Sequence, residues 1–278
     1  MIGVFDSGHG GLTVLNALHR SMPQTDFLYL GDHHDAPYGD RPPDEIYRLT
    51  LAGVSRLFDT GARLVILACN TASAVALRRL QQTWLEAAYP GRRVLGVLVP
   101  MVEAITGVPW MADLAAERPA GPPRTIGIFA TSRTVDSGAY PREISHRAPE
   151  VRVVQQACPD LVPLIEADAP AEVIRAAVAR YTDGLLTRLG GEMPQAVMLG
   201  CTHYPLVADH FAALLPPGVE VLSQPDLTAR SLAAYLERHP EFDRPGTGQV
   251  HFLTTGDADR VSRLATRFFG KPARFEKA

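Results

Sequence analysis

The most constraining feature of the sequence is a pattern that recurs along its length. A short apolar run rich in β-branched residues ends at a polar or glycine-rich turn, and a segment with helical spacing of apolar residues follows. Runs of this kind begin at Ile2, Phe27, Leu64, Thr125 and Ala196. Strands that alternate with helices form parallel sheets with helices on both faces. The pattern therefore predicts an α/β protein, and 278 residues are enough for two such domains.

The polar turns after the predicted strands hold the side chains that are best suited to chemistry. These turns contain the sequences DSG, PYG, CNT, ATSRT and GCTH. Ligands of open parallel sheets bind in the crevice outside the carboxyl ends of the strands, so we expect a site where these turns meet. Two further segments complete the prediction of structure. Val94 to Val99 is expected to be a strand that ends at Pro100, and the RPAGPPR stretch at 118–124 is expected to be a surface connection.

Two of the three cysteines occupy matching positions in the two halves of the chain. Cys69 and Cys201 each follow an apolar run and precede a helix-like stretch, whereas Cys158 lacks this context and is interpreted as a small buried apolar residue. The positive end of a helix dipole favours a thiolate, whereas burial in a dry crevice disfavours it, and the sequence leaves this balance open. Two reactive thiols indicate a reaction that needs two bases. Removal of a proton from an amino-acid Cα and its return to the opposite face is such a reaction.

The composition argues against several classes of partner and cofactor. A net charge of −3 without a basic run favours a small-molecule partner over nucleic acid. Lysine occurs only at Lys271 and Lys277, where it fits neither the Schiff base of a pyridoxal phosphate enzyme nor a phosphate-binding loop, so no cofactor is expected. The adjacent His33, His34 and Asp35 have no second cluster that would complete a metal site, so no metal is expected.

The sequence also predicts the compartment. The strand-like start MIGVF lacks the features of a signal peptide, and no apolar stretch approaches the length that spans a membrane. Three cysteines in a chain of this length do not form a disulfide framework, and reduced thiols suit the cytosol. We therefore expect a cytoplasmic protein.

A set of motifs in a fixed order carries a resemblance to a known family. They are GVFDSGHGGLTVL, GDHHDAPYG, ACNTAS, ATSRTVDSGAY, ACPDLVPLIE, LGCTHYPLV and FLTTGD. Together they resemble the cofactor-independent aspartate/glutamate racemase superfamily, and its glutamate racemases in particular. The resemblance implies two doubly wound, mostly parallel α/β domains related by pseudo-two-fold symmetry, with the active site between them. Residues 1–97 and 210–278 would form the first domain and residues 98–209 the second.

The resemblance also implies an activity and the residues that carry it. The activity is interconversion of L- and D-glutamate without a cofactor or metal, which supplies D-glutamate for peptidoglycan. Cys69 and Cys201 would be the catalytic acid/bases, with Cys69 taking the proton from the D-isomer and Cys201 from the L-isomer. Asp6, Glu166 and His203 would assist them. Positions that resemble the family's substrate-binding residues are Asp6, Ser7, Pro37, Tyr38, Gly39, Asn70, Thr71, Thr131, Thr134 and Thr202. The partner would be an amino-acid substrate, and the oligomeric state stays open, with a homodimer as one arrangement.

Departures from the family pattern keep other functions open. His9 stands in place of a small apolar residue, Asp35 precedes APYG, Val99 replaces a frequent glutamate, the segment SQPDLTAR differs from the usual DSG pattern, and residues 110–123 form a longer stretch. These changes weaken the case for glutamate and leave a racemase of another amino acid, such as aspartate, or a non-catalytic amino-acid-binding relative. A cysteine hydrolase that uses Cys201 and His203 is disfavoured. Two residues in one turn rarely orient as a catalytic dyad, and this function leaves Cys69 unexplained.

Overall fold

The computed structural model describes residues 1–112, 124–244 and 246–278. Within these ranges the chain forms ten strands. In chain order they are β1 (Ile2–Asp6), β2 (Phe27–Gly31), β3 (Leu64–Leu67), β4 (Arg93–Gly96), β5 (Arg124–Ala130), β6 (Val151–Ala157), β7 (Ala196–Gly200), β8 (Glu220–Leu222), β9 (Val250–Thr254) and β10 (Phe275–Lys277).

Helices connect the strands, as the sequence pattern predicts. They are α1 (Gly11–Ser21), α2 (Pro43–Asp59), α3 (Asn70–Val75), α4 (Leu77–Thr83), α5 (Leu85–Ala88), α6 (Leu98–Thr106), α7 (Ser132–Asp136), α8 (Ala139–Arg147), α9 (Leu161–Glu166), α10 (Ala171–Leu189), α11 (Ala208–Leu214), α12 (Gln224–Arg238) and α13 (Ala258–Phe269), with a 3-10 turn at Tyr204–Val207. None of the helices in the described parts of the chain combines the length and the apolar character that a membrane crossing requires.

The strands form two sheets with parallel pairing throughout. One sheet has six strands in the order β10-β9-β2-β1-β3-β4, and the other has four in the order β6-β5-β7-β8. The first four strands of the chain and the next four therefore have the same order, with the leading strand second in each set. This repeated connection and the two parallel sheets confirm the predicted α/β fold class.

The strand order also explains where a site can form. In the six-stranded sheet the chain leaves β1 to one side for β2 and then returns to the other side for β3, and it does the same around β5 for β6 and β7. Such a change of direction opens a crevice at the carboxyl ends of the central strands. The DSG and CNT turns follow β1 and β3, and the ATSRT and GCTH turns follow β5 and β7.

Three details of the sequence prediction differ from the structure or fall outside it. The prediction of one strand over Val94 to Val99 is wrong, because β4 ends at Gly96 and α6 begins at Leu98. Pro100 is tolerated there because the N–H groups of a first helical turn have no helical partner in any case. The predicted surface connection at 118–124 and the longer stretch at 110–123 lie mostly outside the described residues.

The predicted domain limits remain a proposal, with one adjustment that strand pairing requires. Residues 220–222 form β8, which pairs with β7 and so belongs to the four-stranded sheet. The return to the six-stranded sheet therefore begins with α12, which packs against α1, and not at residue 210. Buried side chains of β1 and α1 lie in one apolar cluster with those of β7 and α10, so the two sheets share part of their core.

Candidate active site

A cavity of about 600 Å³ lies at the carboxyl ends of the central strands of both sheets. Its wall includes Ser7 after β1 and Cys69 after β3 from the six-stranded sheet. From the four-stranded sheet it includes Thr131 after β5 and Cys201 after β7. The structure thus brings the two predicted thiols to one cavity that the two sheets form together.

Cys69 is held by the start of its own helix. It occupies the cap position of α3, where its Sγ accepts a hydrogen bond from the backbone N–H of Ala72 at 3.4 Å, and the Ser7 Oγ lies 3.5 Å from the same sulfur. Burial and the charge of Asp6 raise the pKa of the Cys69 thiol to about 12, although both hydrogen bonds act in the opposite direction. For this cysteine burial therefore outweighs the effect of the helix start.

The Cys201 thiol has a histidine as its neighbour instead, and that histidine contacts a glutamate. The predicted order of strand, polar turn and helix holds here, with the 3-10 turn at Tyr204–Val207 between the polar turn and α11. His203 Nδ1 lies 3.9 Å from the Cys201 Sγ, and His203 Nε2 lies 2.7 Å from Glu166 Oε1. Burial lowers the pKa of His203, but its contacts with Cys201 and Glu166 outweigh burial and raise it to about 10.

The contact between Cys201 and His203 corrects a prediction from the sequence. Two residues of one turn were expected to orient poorly as a dyad, yet the turn after β7 directs the imidazole toward the sulfur. The backbone of Gly10 makes this possible, because a Cβ there would lie 2.3 Å from the Thr202 Oγ1 and 2.4 Å from the His203 Nδ1. A glycine is therefore required where the turn after β1 meets the turn after β7.

Glu166 holds a second histidine that belongs to the six-stranded sheet. It is the last residue of α9, and its Oε2 lies 3.0 Å from His9 Nδ1. Burial opposes ionisation of this carboxyl, but hydrogen bonds from His203 and His9 prevail and hold its pKa well below the usual range. Glu166, at the end of α9, is therefore ionised, and each of its two carboxylate oxygens accepts a hydrogen bond from a different histidine.

Asp6 lies behind the cavity wall. Its side chain is completely buried, accepts a hydrogen bond from the Gly8 backbone N–H at 2.9 Å, and is 3.4 Å from the Thr202 hydroxyl. Burial raises its pKa to about 6 against the opposing charge of His203. Asp6 therefore acts on the cavity through its charge and through Thr202, while the structure gives no direct exposure of its carboxyl to the cavity.

Most of the other predicted substrate-binding residues line the cavity. Those on its wall are Ser7, Pro37, Tyr38, Gly39, Asn70, Thr71, Thr131 and Thr202. Thr134 lies behind them and joins a cluster of hydroxyls that spans both sheets. The Oγ1 atoms of Thr71 and Thr131 are 3.0 Å apart, and that of Thr134 is 3.0 Å from Thr131 and 3.3 Å from Thr71. The Tyr38 hydroxyl donates to Asp32 at 2.5 Å, so its ring forms the wall while its polar end is already bound.

The side-chain amide of Asn70 is engaged by residues that the sequence analysis did not select. The Asn70 Nδ2 donates to Gln224 Oε1 at 2.5 Å, and its Oδ1 accepts from Gln224 Nε2 and from the Tyr140 hydroxyl, both at 2.7 Å. All three side chains are buried. Gln224 belongs to the segment SQPDLTAR, which departs from the family pattern, so this departure reaches the candidate site through Asn70.

The remaining departures divide into those that reach the cavity and those that do not. His9 lines the cavity. Two further basic side chains, His33 and Arg260, also line it, and Arg260 is the only lysine or arginine among the described lining residues. Asp35 is outside the lining, and its carboxylate lies 3.7 Å from the guanidinium of Arg41. Val99 lines a second cavity, of about 590 Å³. Over the described residues, no group of three or more His, Cys, Asp or Glu side chains is arranged to hold a metal ion.

Comparisons with known proteins identify the family of the chain. The model of the Asp/Glu/hydantoin racemase family matches residues 11–232. Glutamate racemases from Phenylobacterium zucineum and a Caulobacter species are 48% and 50% identical to the chain, with 100% of the chain and 99% of each relative covered. The crystal structure of glutamate racemase from Francisella tularensis in complex with D-glutamate has a TM-score of 0.84 and 25% identity, and the match covers 100% of this chain and 96% of that chain. The chain belongs to the Asp/Glu/hydantoin racemase family.

Proposed function

We propose that this protein is a glutamate racemase in which one of Cys69 and Cys201 removes the Cα proton of glutamate and the other donates a proton to the opposite face. The observation that carries the proposal is that both thiols line one cavity from separate sheets. Inversion at a carbon requires a base on one face and an acid on the other, within reach of the same atom. The relatives that share about half of their residues with this chain over its full length are named glutamate racemases, which supports glutamate as the substrate.

The surroundings of the thiols support distinct roles for the conversion of L- to D-glutamate. Cys201 takes the Cα proton as a thiolate, beside His203, whose raised pKa keeps the ring protonated at neutral pH. Cys69, whose raised pKa keeps it a thiol, donates a proton to the opposite face. The carbon–hydrogen bond breaks on one face and a new one forms on the other. The two cysteines then exchange protonation states, and the reverse reaction uses them in the opposite roles.

The rest of the cavity supports binding of an amino acid with two carboxylates. Hydroxyls of Ser7, Thr71, Thr131 and Thr202 line it, and backbone N–H groups at the starts of α3 and α7 face the same edge of the sheets. Pro37, Tyr38 and Gly39 form one wall, and the exposed Arg260 supplies a cation at the mouth. Asp6, Asn70 and Thr134 are proposed to position these groups from behind, and Glu166 and His203 to assist Cys201.

The wider proposal covers the biological setting. Racemisation would supply D-glutamate for peptidoglycan without a cofactor or metal. The three cysteines are free thiols, which fits a reducing cytoplasm. A homodimer remains a prediction that sedimentation velocity of the purified chain would test.

The proposal is tested by proton exchange with solvent. Purified protein in D2O, without added cofactor, is expected to replace the Cα proton of both L- and D-glutamate with deuterium, as followed by proton NMR. A Cys69→Ser/Cys201→Ser double variant is the matched control and is expected to leave the proton in place. Exchange into aspartate or another amino acid, with glutamate inert, would identify a different racemase. Glutamate binding by calorimetry without exchange would identify a non-catalytic relative.

One observation favours a second candidate function. Cys201, His203 and Glu166 follow one another as thiol, imidazole and carboxylate, which is the arrangement of a cysteine hydrolase. Mass spectrometry with activated ester substrates distinguishes the two. A hydrolase would accumulate an acyl group on Cys201 and leave the Cα proton unexchanged, whereas a racemase would exchange the proton and form no acyl adduct.

A further inference from the structure

His9 gives Glu166 a second histidine from the opposite sheet. His203 Nε2 is 2.7 Å from one carboxylate oxygen, and His9 Nδ1 is 3.0 Å from the other. The His9 ring lies in the turn between β1 and α1, whereas Glu166 ends α9, which follows β6. Each oxygen of Glu166 thus has its own imidazole donor, and one of these contacts crosses between the two sheets.

Both ring nitrogens of His9 have hydrogen-bond partners. Its Nε2 lies 3.3 Å from the backbone carbonyl oxygen of Val261 in α13, so the two ring nitrogens face a carbonyl and an ionised carboxylate. Both partners only accept hydrogen bonds. The form of the ring that donates to both is the imidazolium, with a hydrogen on each nitrogen. The His9 side chain is only 6% exposed, so these two partners take the place of water.

The other groups around His9 do not cancel this charge. The ring of His33 lies edge-on at 4.3 Å, and burial followed by the charge of His9 lowers the pKa of His33 to about 3, which keeps it neutral. From α13 the Phe268 ring stacks on His9 at 5.3 Å. Asp257 and Arg260, at the start of that helix, are exposed at the mouth, where water screens them. Glu166 is therefore the anion that His9 faces directly.

A count of charges then links His9 to Cys201. His9 and His203 are the cations of a buried group whose anions are Glu166, a Cys201 thiolate and Asp6, whose pKa is raised to about 6. Without His9 only one cation faces these anions, and an uncompensated charge in a buried setting is costly. Loss of His9 would also free one oxygen of Glu166 and so loosen the carboxylate that orients His203.

We propose that His9 is a positioning residue for the Cys201 half of the reaction. Its charged ring fixes Glu166 between two histidines, so that His203 stays directed at Cys201 and a thiolate at Cys201 is partly compensated by a second nearby cation. The proposal rests on the proposed function for the meaning of that thiolate, but it makes a claim about the substrate-free protein that can be measured without racemisation.

The experiment compares the alkylation of the two cysteines. The full-length protein without substrate is treated with dilute iodoacetamide from pH 5 to pH 10, and peptide mass spectrometry gives a separate rate for Cys69 and for Cys201. The parent protein is expected to react faster at Cys201 than at Cys69 at pH 7. His9→Leu keeps the apolar contact with Phe268 and removes both donors. It is expected to slow Cys201 at pH 7 by about three- to tenfold and to raise the midpoint of its pH dependence by about 0.5–1 unit, with Cys69 changed by less than about twofold.

Two further variants separate charge from structure. His9→Asn has an amide that can donate to Glu166 but carries no charge, so it is expected to recover thermal stability toward the parent while Cys201 stays slow. His251→Leu, an exposed histidine of β9 outside the cavity lining, is the matched control and is expected to react as the parent does.

Several outcomes would overturn the proposal. The first is a parent protein whose Cys69 reacts faster than Cys201 at pH 7. The second is a His9→Leu protein in which the alkylation rate and the pH midpoint of Cys201 are unchanged. The third is a His9→Asn protein in which the rate and the midpoint of Cys201 return to the parent values, because the role of His9 would then be purely structural. Failure of the proposed function would be visible separately, as a lack of deuterium exchange into glutamate in a parent protein whose alkylation pattern is as expected.

Discussion

The two cysteines occupy equivalent places in two sheets of the same strand order, yet their surroundings differ. Cys69 contacts the N–H of its own helix and the hydroxyl of Ser7, and the charge of Asp6 helps to raise its pKa. Cys201 contacts His203, which in turn contacts Glu166. The repeated scaffold therefore supplies the position of each thiol, and the turns supply its chemistry.

This difference has a consequence for a reaction whose two directions are chemically equivalent. Enantiomers have equal free energies in solution, so kcat/KM must be the same for L- and D-glutamate whatever the protein does. The difference between the two thiols can therefore affect kcat and KM individually but not their ratio. It can also determine which of the two proton transfers limits the rate. Isotope effects with glutamate deuterated at Cα show which proton transfer limits the rate, because each isomer loses its deuteron to a different cysteine.

Loss of either thiol is the change with the largest expected effect. Cys69→Ser and Cys201→Ser are each expected to lower the racemisation rate by about 10³-fold, because a serine hydroxyl is a much poorer acid and base for this step. Circular dichroism of glutamate gives the rate. Cys158→Ala is the control, since Cys158 is buried outside the cavity lining, and it should retain activity. A serine variant with near-parent activity would mean that the reaction uses one thiol, and the comparison of two sides would lose its basis.

Glu166→Gln tests the Cys201 side alone. The substitution keeps the shape of the side chain and removes the charge that holds His203 and His9, so kcat is expected to fall by about 10- to 100-fold. Transfer at Cys201 should then limit the rate. The isotope effect with Cα-deuterated L-glutamate is expected to increase and that with D-glutamate to decrease.

Equal isotope effects for the two isomers of Glu166→Gln would contradict a role on one side. The matched control is Glu192→Gln, because Glu192 is a carboxylate of the four-stranded half that pairs with Arg152 at the surface, away from the cavity. It is expected to leave both isotope effects as in the parent.

The raised pKa of His203 predicts how stability depends on pH. The ordinary value is 6.5 and the folded value is about 10. Below pH 6.5 the ring is protonated in the folded and unfolded chains alike, and its ion pairs stabilise the fold in full. As the pH rises toward 10, the unfolded ring is neutral while the folded ring still holds its proton, so this stabilisation is lost progressively. One pKa unit corresponds to about 1.4 kcal/mol, so the loss over this range is expected to be on the order of 5 kcal/mol.

Urea unfolding at a series of pH values measures this effect. The free energy of unfolding of the parent is expected to fall between pH 6.5 and pH 10 more steeply than that of His203→Asn, and the difference between the two curves is the contribution of the ring. Parallel curves would mean that His203 is not a cation in the folded protein, and that the Cys201 side lacks the charge that distinguishes it from the Cys69 side.

The sequence predicts the scaffold and the turns well because both signals are local. An apolar run between polar turns identifies a strand. Because the strands are parallel, the turns DSG, CNT, ATSRT and GCTH that follow them lie at the carboxyl ends of the strands. The exception, over Val97 to Val99, arises because an apolar run has the same composition in a buried strand and at the start of a buried helix such as α6. The pairing of β8 with β7 adjusts the proposed domain limit, because the partner of a strand depends on contacts far along the chain.

Contacts between residues far apart along the chain were beyond the reach of the sequence for the same reason. His9 and Glu166 are 157 positions apart, and Asn70 and Gln224 are 154 apart, so neither pair leaves a periodic signal. The resemblance located Glu166 and Asn70, but their partners occur at positions where this chain departs from the family pattern. Such departures are the one sequence signal that could have identified His9 and Gln224 as site residues.

Ser7→Ala is the smallest change and the mirror image of Glu166→Gln. The Ser7 hydroxyl lies 3.5 Å from the Cys69 sulfur, which is a long contact, and the Ala72 N–H remains as a second donor, so kcat is expected to fall by only about threefold. The direction of the isotope effects is more informative than their size. Transfer at Cys69 becomes slower, so the isotope effect with Cα-deuterated D-glutamate is expected to increase and that with L-glutamate to decrease, opposite to Glu166→Gln.

Ser132→Ala, on the cavity wall beside Thr131 but without a hydrogen bond to Cys69 in the described contacts, serves as the control. If Ser7→Ala and Glu166→Gln moved the isotope effects in the same direction, the two side chains would act on one common step, and the division of the cavity into two chemically distinct sides would be wrong.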